Sequence, residues 1–308
     1  MSEASPATDV VATAGVGRVV CAMATPFDLA GALDLAAAAR LAQHLVRSGV
    51  DTVLVNGTTG ESPTLRGDEP WRLLDTVLEA VGNDVSVMMG TGTNNTATTV
   101  EATAKATERG AASVLVVTPY YNRPEQLGLE RHFRAAADAT NLPVVLYDIP
   151  FRSGREIATE TLIELAQVTN IVGVKDATAD LGKVADVIAA TRTAPGGFGV
   201  WCGADEANLP ILAVGGSGVI SVSAHLVAHE ITEMVAIFND DPIRARELHL
   251  RCMPLHRALF AEPSPAPLKA ALKELGLIEG GLRLPLIDAS DDARHRVMAV
   301  YEQIVASR

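Results

Sequence analysis

The chain has 308 residues, 48% of them hydrophobic and 20% charged, so it can bury a substantial core and is too apolar to be disordered throughout. Its 25 Lys and Arg against 37 Asp and Glu give a formal net charge of −12, which argues against a nucleic-acid partner because neutralising phosphates needs a basic face. Apolar runs break at Gly, Asp or Arg well short of the roughly 20 residues of a bilayer span, and no basic amphipathic stretch suggests a membrane surface.

From the N-terminus, residues 1–17 are rich in Ala, Thr, Ser and Gly. They have neither the basic start nor the apolar stretch of a secretory signal and read as a flexible extension. Short β-branched runs then recur at 19–24, 52–55, 85–89, 113–117, 144–147, 171–175, 199–202 and 218–222, most of them ending at Gly, Asn or Asp. Short, continuously apolar runs suit strands buried on both faces. Helical spacing fills most of the gaps, at 34–48, 69–81, 96–109, 127–140 and 159–168. The strand-to-strand step is about thirty residues except for the shorter last one, and eight β-then-α units point to a closed parallel (β/α)8 TIM barrel over 18–238. A doubly wound open sheet is the competing reading, disfavoured by the count of eight. Beyond residue 239 the stretches 242–258, 267–275 and 291–306 read as helices with no strand between them, a small C-terminal helical domain over 239–308. Cys21, Cys202 and Cys252 are isolated thiols without CxxC spacing, which reads as reduced usage in a cytoplasmic protein.

The unusual residues fall at the C-terminal ends of the strands, the face on which barrel enzymes build their sites. Lys175 ends the apolar strand Ile171-Val172-Gly173-Val174. An amine in apolar surroundings loses its charge more easily and becomes a nucleophile, as Schiff-base formation on a ketone requires. Pairing with Asp176, or snorkelling at the strand end, is the plainer alternative. Tyr147 ends the preceding strand and would neighbour Lys175 in a barrel, where a phenol can shuttle protons. Gly57-Thr58-Thr59-Gly60-Glu61-Ser62 follows the second strand; its glycines, hydroxyls and peptide N–H groups suit a carboxylate or a phosphate, although a plain turn would look the same. Arg152 is a loop arginine placed either to grip a carboxylate bidentately or to form a surface ion pair. His225 and His229 are four apart without a third ligand and read as ordinary helix residues, so no metal is expected.

Together with Thr118-Pro119-Tyr120-Tyr121-Asn122-Arg123-Pro124, Gly218-Val219-Ile220-Ser221-Val222, Glu262-Pro263-Ser264-Pro265 and Leu282-Arg283-Leu284-Pro285, these motifs make the chain, from about Gly17 to Ile304, resemble the dihydrodipicolinate synthase family. The resemblance implies a pyruvate-dependent class I aldolase on a barrel with a helical C-terminal domain, usually a homotetramer. It implies a lyase condensing pyruvate with aspartate semialdehyde in diaminopimelate and lysine biosynthesis, with neither metal nor organic cofactor. By the same resemblance Lys175 forms the Schiff base, and Tyr147, Thr58 and Tyr121 relay protons, with Tyr121 reaching in from a neighbouring subunit. Thr59 holds the pyruvate carboxylate and Arg152 that of the second substrate, while Gly203 and Ile220 line the pocket through their backbones.

The chain departs from the family pattern in three ways. Asp148 stands where many members have Asn, and Ala204 where synthases commonly have Asp. Gly67, Pro70 and Thr98 replace the side chains that hold lysine in feedback-inhibited members, although Asn94 and Ser62 are retained, so lysine inhibition is expected to be weak or absent. The rival readings are an aldolase for a 2-keto-3-deoxy sugar acid or N-acetylneuraminate, which would share the pyruvate half of the chemistry, and a non-catalytic barrel that binds a keto acid.

Overall fold

The computed structural model describes residues 15–308. Strands β1 (Val19–Ala22), β2 (Thr52–Val55), β3 (Ser86–Gly90), β4 (Ser113–Val117), β5 (Val144–Asp148), β6 (Ile171–Asp176), β7 (Gly199–Cys202) and β8 (Gly218–Ser221) pair in parallel in sequence order, and β8 closes on β1. The expected TIM barrel is therefore the fold. Its helices are α1 (Leu35–Arg47), α2 (Glu69–Val81), α3 (Thr96–Glu108), α4 (Gln126–Asp138), the single turn α5 (Pro150–Ser153), α6 (Thr159–Leu165), α7 (Leu181–Thr191), α8 (Asn208–Ala213) and α9 (Ala224–Ile237). Then α10 (Pro242–Ala258), α11 (Ala266–Glu274) and α12 (Asp291–Ala306) follow without a strand between them. Several starts are sealed by a side chain that takes up a free helix N–H: Asp34 accepts from Ala37 N at 2.9 Å, and Ser290 Oγ from Ala293 N at 3.1 Å.

Successive strand residues alternate between two apolar layers, as a closed sheet demands. Val19, Cys21, Val53, Val114, Val116 and Leu146 face outward under the helices. Val20, Ala22, Leu54, Met88, Leu115, Val145 and Ile220 fill the interior. Trp201 plugs that interior because Gly173 and Gly199 leave it room; a Cβ on Gly173 would come within 2.6 Å of the indole. Between β5 and β6 the register slips by one residue after Val144, so that Tyr147 lies opposite Lys175. The flexible extension expected over 1–17 lies outside the described residues as far as residue 14. The next few residues are packed: Val16 is fully buried, and Gly17 O accepts from Trp201 Nε1 at 2.8 Å.

Leu248 and Leu255 of α10, Leu268 and Leu272 of α11, and Val297 and Ile304 of α12 join the same apolar core as the outer face of the barrel. A charged connection adds to this packing. Lys269 Nζ donates to Glu61 Oε1 at 2.6 Å, and both side chains are 0% exposed. Arg283 donates through its backbone N–H to Glu61 Oε2 at 3.0 Å and through its guanidinium to both Glu69 carboxylate oxygens. Both cations lie over the Phe27 ring, at 4.3 and 4.1 Å. Lys269→Met strands the Glu61 carboxylate in a dry site and should cost about 3–5 kcal/mol of unfolding free energy in urea titrations. Adding Glu61→Gln should recover much of that loss; a double variant no more stable than the single would contradict the pairing.

Candidate active site

A cavity of about 350 Å³ opens at the C-terminal ends of the strands, and Lys175, Tyr147, Thr58, Thr59, Arg152 and Gly203 all line it. Lys175 is buried on the inward face of β6, with its Nζ 4.3 Å from the centre of the Tyr147 ring. Strand alternation sends Asp176 the other way, where its Oδ1 accepts from Thr178 N at 3.0 Å and Ala179 N at 3.2 Å. Among the described residues no carboxylate is within salt-bridge distance of Lys175. Burial pushes the amine down to about 8, and Asp205 is the charged neighbour that pulls it back up. The Cys202 and Cys21 thiols beside it are themselves pushed up by burial and stay neutral, so they add no charge. At neutral pH roughly a tenth of this amine is uncharged, far more than for an ordinary lysine.

Burial also drives the Tyr147 phenol well above its ordinary range, with Arg152 and the Thr58 hydroxyl offsetting part of the shift. The phenol is thus a protonated donor next to the amine. Thr58 and Thr59 sit in a turn fixed from several sides. Asn56 adopts a positive φ and donates from Nδ2 to Gly90 O at 2.7 Å, and Thr25 Oγ1 donates to Gly60 O at 2.6 Å. Glu61, buried against Lys269, ends the turn. Gly203 leaves room for the reactive side chain, since a Cβ there would crowd Cγ and Cε of Lys175 at 3.0 Å. Arg152, on α5, is exposed and 5.5 Å from the Phe151 ring, and among the described residues it has no ion-pair partner. A cation left free at the rim of a cavity is available for an anionic ligand.

Two of the expected residues are not in the lining of this cavity. The Ile220 side chain is 1% exposed and packs in the barrel interior, and Val222 further along lines the cavity; the part expected of Ile220 was its backbone, on which side-chain burial does not bear. Tyr121 is 89% exposed and does not line the cavity of its own chain, because its loop runs outward with a φ of 74°.

Several lining residues were not singled out from sequence. Asp205 is buried, and its Oδ2 accepts from Val222 N at 3.0 Å, Ser223 N at 2.9 Å and Ser223 Oγ at 2.9 Å. Ser223 Oγ in turn takes a hydrogen bond from His256 Nδ1 at 2.8 Å. Burial alone would raise the Asp205 carboxyl, but His256 and these hydrogen bonds hold it below its usual range. Its only signal in the sequence was its place beside Gly203. Phe260 and Ser264 come from the segment after α10, and no pattern in the barrel's repeat announces them. His225 is a core residue: its Nδ1 donates to Val222 O at 2.8 Å and its Nε2 accepts from Ala24 N at 3.0 Å. Among the described residues no group of three His, Cys, Asp or Glu could hold a metal ion.

Fold and cavity define a barrel protein with a single depressed amine at its C-terminal mouth, suited to carbonyl chemistry. The Dihydrodipicolinate synthetase family matches residues 15–304, and the chain belongs to that family. It is 49% identical over 280 residues to the 4-hydroxy-tetrahydrodipicolinate synthase of Synechococcus sp., covering 90% of this chain and 92% of that one. It is 42% identical over 290 residues to 4-hydroxy-tetrahydrodipicolinate synthase 1 of Halalkalibacterium halodurans, covering 94% and 97%. The crystal structure of the Cyanidioschyzon merolae synthase with lysine bound superposes with a TM-score of 0.91 at 41% identity, over 94% of this chain and 98% of that one.

Labelling of Lys175 by a small amine-reactive electrophile should rise with pH through a midpoint near 8, since the charged form below it is unreactive. Peptide mass spectrometry across a pH series reads this directly. A midpoint near 10.5, with the protein folded, would contradict the buried, uncompensated amine.

Proposed function

We propose that the protein is a 4-hydroxy-tetrahydrodipicolinate synthase, a lyase that joins pyruvate to aspartate semialdehyde through a Schiff base on Lys175. The observation that carries the reading is the Lys175 amine, buried without a carboxylate partner over the Tyr147 ring, in a member of this family. The free amine adds to the keto carbon of pyruvate, whose carboxylate rests against Thr59 and its turn. Tyr147, passing protons through Thr58, protonates the departing hydroxyl so that water leaves and the imine forms. The protonated imine draws electrons from the pyruvate methyl, which loses a proton to give an enamine. The enamine carbon attacks the aldehyde of aspartate semialdehyde, held by its carboxylate on Arg152. The amino group of the new chain then adds to the imine carbon, closing the ring and expelling Lys175 as a free amine. Every step uses side chains alone, so no cofactor is required.

Tyr121 completes the relay by entering a neighbour's cavity, a role that fits its exposure on its own chain. The working unit is then at least a dimer, and we take it to be a homotetramer built from dimers in the cytoplasm. Among the described residues no helix is long and apolar enough to cross a membrane.

Incubation with pyruvate followed by borohydride should leave a stable adduct on Lys175 alone, located by peptide mass spectrometry. Folded protein without an adduct would remove the enzyme reading. Competition between aspartate semialdehyde and 2-keto-3-deoxy sugar acids for the trapped enamine separates the synthase from its sugar-acid relatives. Tyr147→Phe should lower turnover by about 10²–10⁴-fold with the fold intact. Gly67 is exposed with open space around its Cα, Pro70 lies in the first turn of α2 and Thr98 is exposed on α3, so none offers the charged or imidazole contacts that would retain lysine. Added lysine should therefore leave the rate nearly unchanged, and strong inhibition at sub-millimolar lysine would overturn that expectation.

A further inference from the structure

Behind the cavity, on the outer face of the sheet, Lys183 of α7 is buried with all three of its ammonium protons taken. Its Nζ donates to Asp148 Oδ2 at 2.6 Å, Glu156 Oε1 at 2.7 Å and Ile157 O at 2.7 Å. Asp148 is 0% exposed, and its other oxygen accepts from Ile157 N at 3.2 Å. The strand end at 148 and the chain at 156–157 are thereby clamped to one ammonium, and the residues between them form a loop closed at its base. Arg152 stands at the crown of that loop. Within it, Ser153 Oγ donates to Ile149 O at 3.1 Å, and Gly154 O is tied to Arg123 Nε at 2.9 Å.

We infer that the Asp148–Lys183 pair is a positioning device that sets how the Arg152 loop presents its guanidinium to the second substrate, without acting on the pyruvate half of the site. The inference rests on the reading of Arg152 as the grip for that substrate's carboxylate. An exposed arginine on a one-turn helix has little else to fix it, so its reach depends on the base of the loop. Lys175 and Tyr147 face the opposite side of the sheet and neither hydrogen-bonds to the pair; Asp148 follows Tyr147 in the chain, and its charge is the smallest of the influences on that phenol. A misplacement of about 1 Å in a positioning group is enough to cost tens-fold or more. Asp148→Asn keeps the shape and the Ile157 contact but removes the charge that Lys183 needs, and Lys183→Met alone leaves the buried Asp148 carboxylate unpaired while the half-exposed Glu156 keeps its water. The combined Asp148→Asn/Lys183→Met variant opens the clamp while leaving no unpaired charge at Asp148, so it is the variant to rely on should either single change fail to fold.

The experiment measures KM for each substrate and the rate of borohydride trapping with pyruvate in four full-length proteins. These are the unaltered chain, the Asp148→Asn/Lys183→Met variant, Arg152→Ala, and all three changes together. The expected result is a KM for aspartate semialdehyde raised about tenfold or more by the paired change. The KM for pyruvate and the trapping rate should stay within about twofold, and there should be no further rise when Arg152 is already absent. Should Arg152→Ala raise the KM for the aldehyde while the paired change leaves it unaltered, the positioning role is overturned and the Arg152 reading stands. An Arg152→Ala protein with an unaltered KM overturns that reading and the inference with it. Equal losses for both substrates would mean the pair supports the barrel as a whole, and would likewise refute the inference.

Discussion

The mouth of this barrel depends on a salt bridge that bulk water never reaches. Glu61 and Lys269 are separated by 208 residues and meet with both side chains at 0% exposure. Each alone would be costly to bury, and together they are tolerable only because Gly281 O, the Arg283 backbone N–H and the Phe27 ring complete their surroundings. The turn that carries Thr58 and Thr59 ends at Glu61, so the C-terminal helices reach into the cavity through this bond as well as through Phe260 and Ser264. The helical segment is, in physical terms, part of the wall.

Three lysines are buried in the described chain, and their differences explain the chemistry. Lys269 is locked to Glu61, and Lys183 is locked to Asp148 and Glu156. Both are held charged by contacts at 2.6–2.7 Å and serve as fixed points. Lys175 has an aromatic face and neutral thiols for neighbours, with Asp205 acting only through space. Contacts more than answer burial at Lys183, whose amine is raised, and Glu61 answers part of it at Lys269, whereas Lys175 has no contact partner and only Asp205 at a distance to offset it. Reactivity here comes from the absence of a partner, and the partners nearby are all committed elsewhere: Asp176 to the turn after β6, and Asp205 to Ser223 and two peptide N–H groups.

Much of this was legible in the chain itself. Each of the eight strands falls within two residues of the expected runs, because parallel strands buried on both faces must be continuously apolar and must stop at turn residues. Helices α2, α10 and α12 begin and end where their helical spacing places them. The residues that gather around the cavity were visible because strand ends in a barrel share one face. What stayed hidden depends on distance in sequence. Lys183 sits on a helix whose pattern makes a lysine look like a solvated residue, and only the fold brings Asp148 beneath it. Phe260 and Ser264 enter from a segment outside the repeat.

The one-residue slip between β5 and β6 has a consequence for anyone editing this protein. Sidedness in a strand is a matter of odd and even counts, and the slip adds one to the count just before the reactive amine. With regular pairing from Ile171 onward, Val174 would stand opposite Tyr147, and the amine would face the helices alongside Asp148. The identity of the residues in this strand therefore matters less than their number. A single deletion near Val172 rewrites the address of every side chain that follows, whereas a conservative substitution there changes only the filling. Grafting this strand onto another barrel would carry the reactive lysine across only if the irregularity travelled with it.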